Sequence, residues 1–183
     1  MSGSELPRRP ARLVPDEPLP PYSYVTGLFP HPTRDPLGHS FGHAAPQPMP
    51  IDSSNWAESR PYLVGCDLFN LGYYWEAHET WESLWHACGR RGATADFLKG
   101  LIKLAAAGVK AREGRPQGVA RHAARAAELF ASVRAAHGES AYLGLDLDQL
   151  ISIARRLASD PISPPRSTAH VEILFDFELV PSK

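Results

Sequence analysis

Residues 68–85 read LFNLGYYWEAHETWESLW, and this stretch decides how the chain folds. Gly72 separates two helical patterns, and after it apolar side chains recur at helical spacing at Tyr74, Ala77 and Trp81. Residues 110–129, KAREGRPQGVARHAARAAEL, place Gly114 between two further helical patterns in the same way. Two such units predict two stacked αα-hairpins.

The helical signals continue on both sides of these units. They predict helices over about 61–70, 74–87, 95–113, 116–137 and 147–159. The expected start signals are Asn55 with Glu58 as a capping box, Thr94 as a cap, and Asp146 capping towards Gln149. The third helix is apolar around most of its circumference, so we expect it to be the central one. The fold class predicted is all-α, a compact bundle of about five helices.

The ends of the chain differ in composition from the helical part. Most of the 18 prolines fall before residue 53, and proline disfavours long helices. We expect a disordered N-terminus over residues 1–18, then a Pro-rich arm over 19–52 whose aromatic residues pack on the body. The helical domain is expected over 53–160. Residues 161–183 are expected to form an extended tail, because apolar and acidic residues alternate in VEILFDFELV.

Composition limits the classes of function. The chain has 183 residues, of which 43% are apolar, and a formal net charge of -1. This charge provides no basic field for nucleic acid or anionic lipid, so neither is an expected partner. The run Leu104 to Val109 is far shorter than the roughly 20 residues that span a bilayer. No secretory signal is visible, and Cys66 and Cys88 form no CxxC pair, so we expect a cytoplasmic protein.

An unusual polar cluster lies on the second helix. Beside its apolar stripe runs a second line of side chains, Trp75, His78, Glu82 and Trp85, with Glu79 next to it. His78 and Glu82 are four residues apart and therefore neighbours. We expect these polar groups to be shielded from solvent, and a buried carboxylate is costly unless it is paired or binds a metal.

Two interpretations of the cluster stay open. In the first, it is a structural network in which His78 donates to Glu82 and Glu79 meets Lys99 or Lys103. In the second, it is a metal or acid–base site, with Glu76 or Glu79 as the candidate catalytic base. The HExxE pattern lacks the second histidine of the zinc motif HExxH.

Further ligands for a metal are available in the arm. His31, Asp35, His39 and His43 fall within thirteen residues. Imidazole and carboxylate groups of this kind suit zinc or iron. The predicted divalent-metal set is therefore His78 and Glu82 together with His31 and His39. The alternative is that these arm residues only form tight turns.

The motif Glu76-Ala-His78-Glu79-x-x-Glu82-x-x-Trp85, followed by Phe97-Leu-x-Gly-Leu-Ile, resembles a known family. Residues of about 60–135 are similar to the small helical proteins called domain of unknown function 309. The resemblance implies a compact helical bundle and candidate residues in the motif. It implies no activity, and it leaves the arm and the tail outside.

Two hypotheses on function follow from these observations. The first is a non-enzymatic module that binds a protein partner or self-associates. It rests on the hairpin organisation and the incomplete catalytic set. The second is a metal-dependent hydrolase-like enzyme that uses the His/Glu cluster of the second helix with the arm histidines.

Overall fold

The computed structural model describes residues 11–44 and 47–182. These residues form five α-helices, which confirms the predicted all-α bundle. The helices are α1 (Arg60–Asn70), α2 (Tyr74–Ala87), α3 (Ala93–Arg112), α4 (Pro116–His137) and α5 (Leu147–Ser159). A 3-10 turn (Trp56–Glu58) precedes α1, and a two-stranded antiparallel hairpin, β1 (Ala141–Tyr142) and β2 (Leu145–Asp146), precedes α5. No helix within this part of the chain is long and apolar enough to cross a membrane.

Local sequence signals set most of the helix ends. Pro61 lies in the first turn of α1, and the side chain of Asp146 accepts a hydrogen bond from the Gln149 amide at 2.8 Å. Two expected caps are wrong. Asn55 Oδ1 accepts from the Asp52 amide instead of capping a helix. α3 begins one residue before Thr94, whose hydroxyl pairs with the Tyr142 hydroxyl at 2.9 Å.

The helices pack as two antiparallel hairpins, α1 with α2 and α3 with α4, and α5 covers α4. α3 lies between α2 and α4 and is the central helix, as predicted. Its glycines allow close approach, because Gly100 lies under the Phe130 ring of α4 and Gly108 under the Tyr74 ring of α2. Core packing therefore depends on small residues of α3 as well as on large ones.

The N-terminal segment is more ordered than predicted. Residues 1–10 of the expected disordered segment 1–18 lie outside the described residues. The expectation is wrong for residues 11–18, because Val14 is buried and the amides of Leu13 and Val14 donate to the carboxylate of Asp67 in α1. The Pro-rich stretch that follows also lies on the body, with Tyr22 and Val25 buried. The described residues of 11–52 are therefore called the arm from here on.

The C-terminal tail, residues 161–182, contains no helix or strand and crosses α1 and α2 in extended form. Phe175 and Leu179 face the core, and the Phe175 ring stacks on Phe69 with centroids 5.5 Å apart. Phe175 and Leu179 are four positions apart, so an extended backbone places them on the same side. The arm and the tail also meet, because the Ser23 amide donates to the His170 carbonyl at 2.9 Å.

Close packing against α3 gives a prediction for two helical glycines. A Cβ at position 100 would overlap the buried Phe130 ring, whereas at position 118 it would meet only the flexible stem of Lys110. Gly100→Ala should therefore lower the free energy of unfolding by about 1–3 kcal/mol. Gly118→Ala, the matched control, should stay within about 1 kcal/mol of the wild type, because alanine also favours the helix. Urea denaturation followed by circular dichroism measures both. Equal effects of the two substitutions would contradict this account of the packing.

Candidate functional site

The polar cluster of α2 lies at the surface of the bundle. Ligand atoms of His78, Glu79 and Glu82 all lie within 4.8 Å of one another, and His78 Nδ1 donates to Glu79 Oε1 at 3.3 Å. The side chains of His78 and Glu79 are 26% and 46% exposed. The helical spacing correctly groups the three residues, but the expected shielding from solvent is wrong for Glu79 and only partial for His78.

Basic side chains of α3 and α4 lie next to this cluster. Burial lowers the pKa of Lys103, while the nearby Glu82 carboxylate acts in the opposite direction. Burial and the charge of Lys103 lower the pKa of His122 to about 4. The network interpretation expected His78 to donate to Glu82 and Glu79 to meet Lys99 or Lys103. His78 instead donates to Glu79, and Lys99 Nζ lies 3.8 Å from the centre of the Trp85 ring.

The buried acid of the motif is Glu76, one turn before Thr80, and the arm covers it. Glu76 is only 6% exposed. Its Oε1 accepts from the Tyr24 amide at 2.9 Å and from His39 Nε2 at 3.3 Å. Its Oε2 has no hydrogen-bond donor among the described residues. A buried carboxylate oxygen without a donor is unusual and needs a donor from outside these residues.

The structure separates the predicted metal ligands. His39 joins Glu76, and its Nδ1 pairs with the Ser40 hydroxyl at 2.9 Å. His31 instead packs edge-to-face on Trp75, with ring centroids 5.5 Å apart. Within residues 11–44 and 47–182, the compact group of possible metal ligands includes His78 and its two glutamates but neither arm histidine. The local spacing on α2 could not reveal where the arm places its side chains.

A cleft of about 560 Å³ opens between the arm, α1 and α2. Its wall includes the inner acid Glu76 and the outer acids Glu79 and Glu82, so it connects the two parts of the motif. From the arm, Arg12, His39 and His43 line it. Of the candidate residues on α2, Trp75, Glu76, Glu79 and Glu82 thus line one cleft that the arm completes, whereas His78 does not line it.

Sequence reasoning missed Asp67, which is 2% exposed. Its two carboxylate oxygens accept from the Leu13 and Val14 amides at 2.8 and 2.9 Å, and Arg12 Nε lies 3.6 Å away. The available signal was one acid inside the apolar run Cys66 to Phe69 of α1. A charged group in such a position needs donors, and here the arm supplies them.

One comparison with known proteins gives a match, and it falls within the helical domain. Residues 62–122 match the family model described as Domain of unknown function (DUF309). No curated protein and no solved structure matches the chain. The matched segment contains Asp67, Glu76 and the surface cluster of α2, and it leaves the arm and the tail outside. The resemblance read from the motif is confirmed over residues 62–122, which match the model of this family.

Proposed function

We propose that this chain is a non-enzymatic protein-interaction module whose contact surface is formed by the arm and the tail. One observation carries the proposal. The large apolar side chains that are exposed in the described part of the chain all belong to these two segments and none to a helix. They are Leu19, Leu28, Leu37, Phe41 and Met49 in the arm, and Ile173 and Val180 in the tail.

Leu37 and Phe41 form the clearest contact point. They lie four residues apart and are 80% and 46% exposed. The turns that carry them are fixed, because Asp35 Oδ1 accepts from the Leu37 amide at 2.9 Å and the Ser40 amide donates to the Pro32 carbonyl at 3.0 Å. An apolar pair on a pre-ordered loop binds a partner with a smaller loss of conformational entropy than a mobile one.

The main-chain contacts of the arm support an interaction role for the surrounding surface. Asp67 and Glu76 bind arm amides, so these acids hold the contact surface in place on the helical core. The near-neutral net charge favours a protein partner over a nucleic acid. The partner in this proposal is a second copy of the chain or another protein, in the cytoplasm, where free thiols such as Cys66 and Cys88 stay reduced.

Replacing both exposed apolar side chains tests the proposal. Leu37→Ser with Phe41→Ser should weaken association by about tenfold or more, because each side chain loses the apolar contact it makes in the complex. The melting temperature should change little, since both side chains are exposed. Sedimentation equilibrium measures self-association, and affinity capture of wild type against the double variant measures binding to another protein.

Glu128→Ser on α4 is the control, because it changes an exposed side chain outside both segments. It should leave association unchanged. A wild-type protein that stays a monodisperse monomer and captures no protein in a manner sensitive to the double substitution would contradict the proposal.

The surface cluster favours a second candidate function, a metal-dependent hydrolase-like enzyme. His78, Glu79 and Glu82 can present three ligand atoms to one divalent ion, and Nε2 of His78 is left for it when Nδ1 donates to Glu79. If His78 and Glu82 alone held the metal, Glu79 would be left beside it as a base for the water that the metal activates. Glu76 is less suited to that role, because the arm covers it.

Elemental analysis distinguishes the two candidates. If the cluster is a metal centre, purified protein should contain about one zinc, iron or manganese ion per chain, and His78→Ala should remove it. His86→Ala, which changes an exposed histidine on the same helix, should retain the metal. Substoichiometric metal in the wild type, or equal metal content in the two variants, would eliminate the enzyme hypothesis in this form.

A further inference from the structure

We propose that the cleft between the arm, α1 and α2 binds an organic cation, a primary ammonium or guanidinium group that donates a hydrogen bond to Oε2 of Glu76. This inference concerns the cleft and its ligand. It stands whether or not the exposed face of the arm binds a protein.

The unsatisfied oxygen of Glu76 is the first argument. The side chain is more than nine-tenths buried and lines the cleft, yet Oε2 has no donor among the described residues. The other oxygen already accepts from Tyr24 and His39. An N–H group of a ligand would satisfy the remaining oxygen, and a hydrogen bond to a charged acceptor in a site with little water is strong.

The charge of the cleft is the second argument. Among the described residues, four glutamates line it against one arginine. The Arg12 charge has the Asp67 carboxylate 3.6 Å away, and Glu17 is paired with Arg60. Within the described part of the chain, the carboxylates of Glu76 and Glu79 contact only histidine side chains, and Glu82 lies near Lys103. The lining therefore keeps an excess of carboxylates that attracts a cation.

The shape and composition of the wall indicate an organic cation. A volume of about 560 Å³ is the size of a small-molecule site and far exceeds that of a single ion. Trp75, Val64 and Leu68 form apolar wall beside the carboxylate. Apolar side chains of this kind pack against the methylene stem of an amine. The face of an aromatic ring attracts its charged group.

The histidine at the base of the cleft is poorly placed for a metal ion. Both ring nitrogens of His39 are engaged, Nε2 with Glu76 and Nδ1 with Ser40. Metal binding would have to break one of these hydrogen bonds to free a lone pair. A ligand that donates an N–H to Oε2 of Glu76 leaves both hydrogen bonds of His39 in place.

Two sources can supply this chemistry, a free small amine or guanidine, and a lysine or arginine side chain of a peptide. We expect titration of the full-length protein with butylamine, butylguanidine and a blocked Ala-Arg-Ala peptide to give saturable 1:1 binding, measured by calorimetry. Tighter binding of the peptide would indicate a polypeptide ligand, and equal or tighter binding of the free cations a small molecule. Both results support the proposed chemistry.

Glu76→Gln is the decisive variant. Glutamine keeps an acceptor for the Tyr24 amide but places a neutral NH₂ group where Oε2 was, so affinity for the cations should fall by about tenfold or more. Glu128→Gln, a matched control on the outer face of α4, removes an exposed carboxylate paired with Arg125 and should leave affinity unchanged. Binding that is equal in Glu76→Gln and wild type would overturn the proposal.

A measurement on the wild type covers the case in which Glu76→Gln does not fold. Saturating butylamine or butylguanidine should shift the NMR resonances of the Tyr24 amide and the His39 ring, because both contact the carboxylate that receives the ligand. Unmoved resonances would overturn the proposal, as would binding of Zn²⁺ or Mn²⁺ but of no amine or guanidine. None of these results depends on the Leu37 and Phe41 contact surface, so the two proposals fail separately.

Discussion

Two buried carboxylates attach the N-terminal arm to the helical bundle, and the candidate site depends on them. Asp67 of α1 accepts from two consecutive arm amides, and Glu76 of α2 accepts from a third. Burying a carboxylate is costly unless donors replace the lost water, and main-chain amides do so without requiring particular side chains. The arm thereby forms one wall of the cleft and covers Glu76, while the His78 face of the same helix stays partly open.

The tail is held by the same kind of contact on neighbouring residues. The Asn70 side chain donates to the Leu179 carbonyl and accepts from its amide, and the Tyr74 hydroxyl accepts from the Leu174 amide. Buried Arg112 donates to the Ala169 carbonyl at 2.7 Å. Polar side chains on α1, α2 and α3 thus bind the main chain of both irregular segments. The helical bundle is thus a core on which two irregular segments are fixed, with their exposed apolar side chains facing outward.

Short-range patterns predicted the helices well, and long-range contacts explain the errors. Pro61, Pro116 and Asp146 act within one helical turn, so the helix starts that they set can be predicted from the sequence. The grouping of His78 with Glu82 also follows from local spacing. Asp67 meets amides 53 and 54 residues away, and no local pattern indicates which segment will reach a buried acid. For the same reason the sequence could not show that the arm shields Glu76 rather than the surface cluster, or that it brings His39 and leaves His31 on Trp75.

Amide hydrogen exchange of the arm, followed by NMR in wild type and Asp67→Asn, tests the central claim most directly. If the carboxylate of Asp67 holds the arm, the Leu13 and Val14 amides are protected in the wild type. The substitution removes the charge and one acceptor oxygen, so exchange at these two amides should accelerate about tenfold or more, while α4 and α5 keep their protection. Exchange of Leu13 and Val14 at the rate of an unstructured peptide in the wild type, or protection unchanged by Asp67→Asn, would contradict the account.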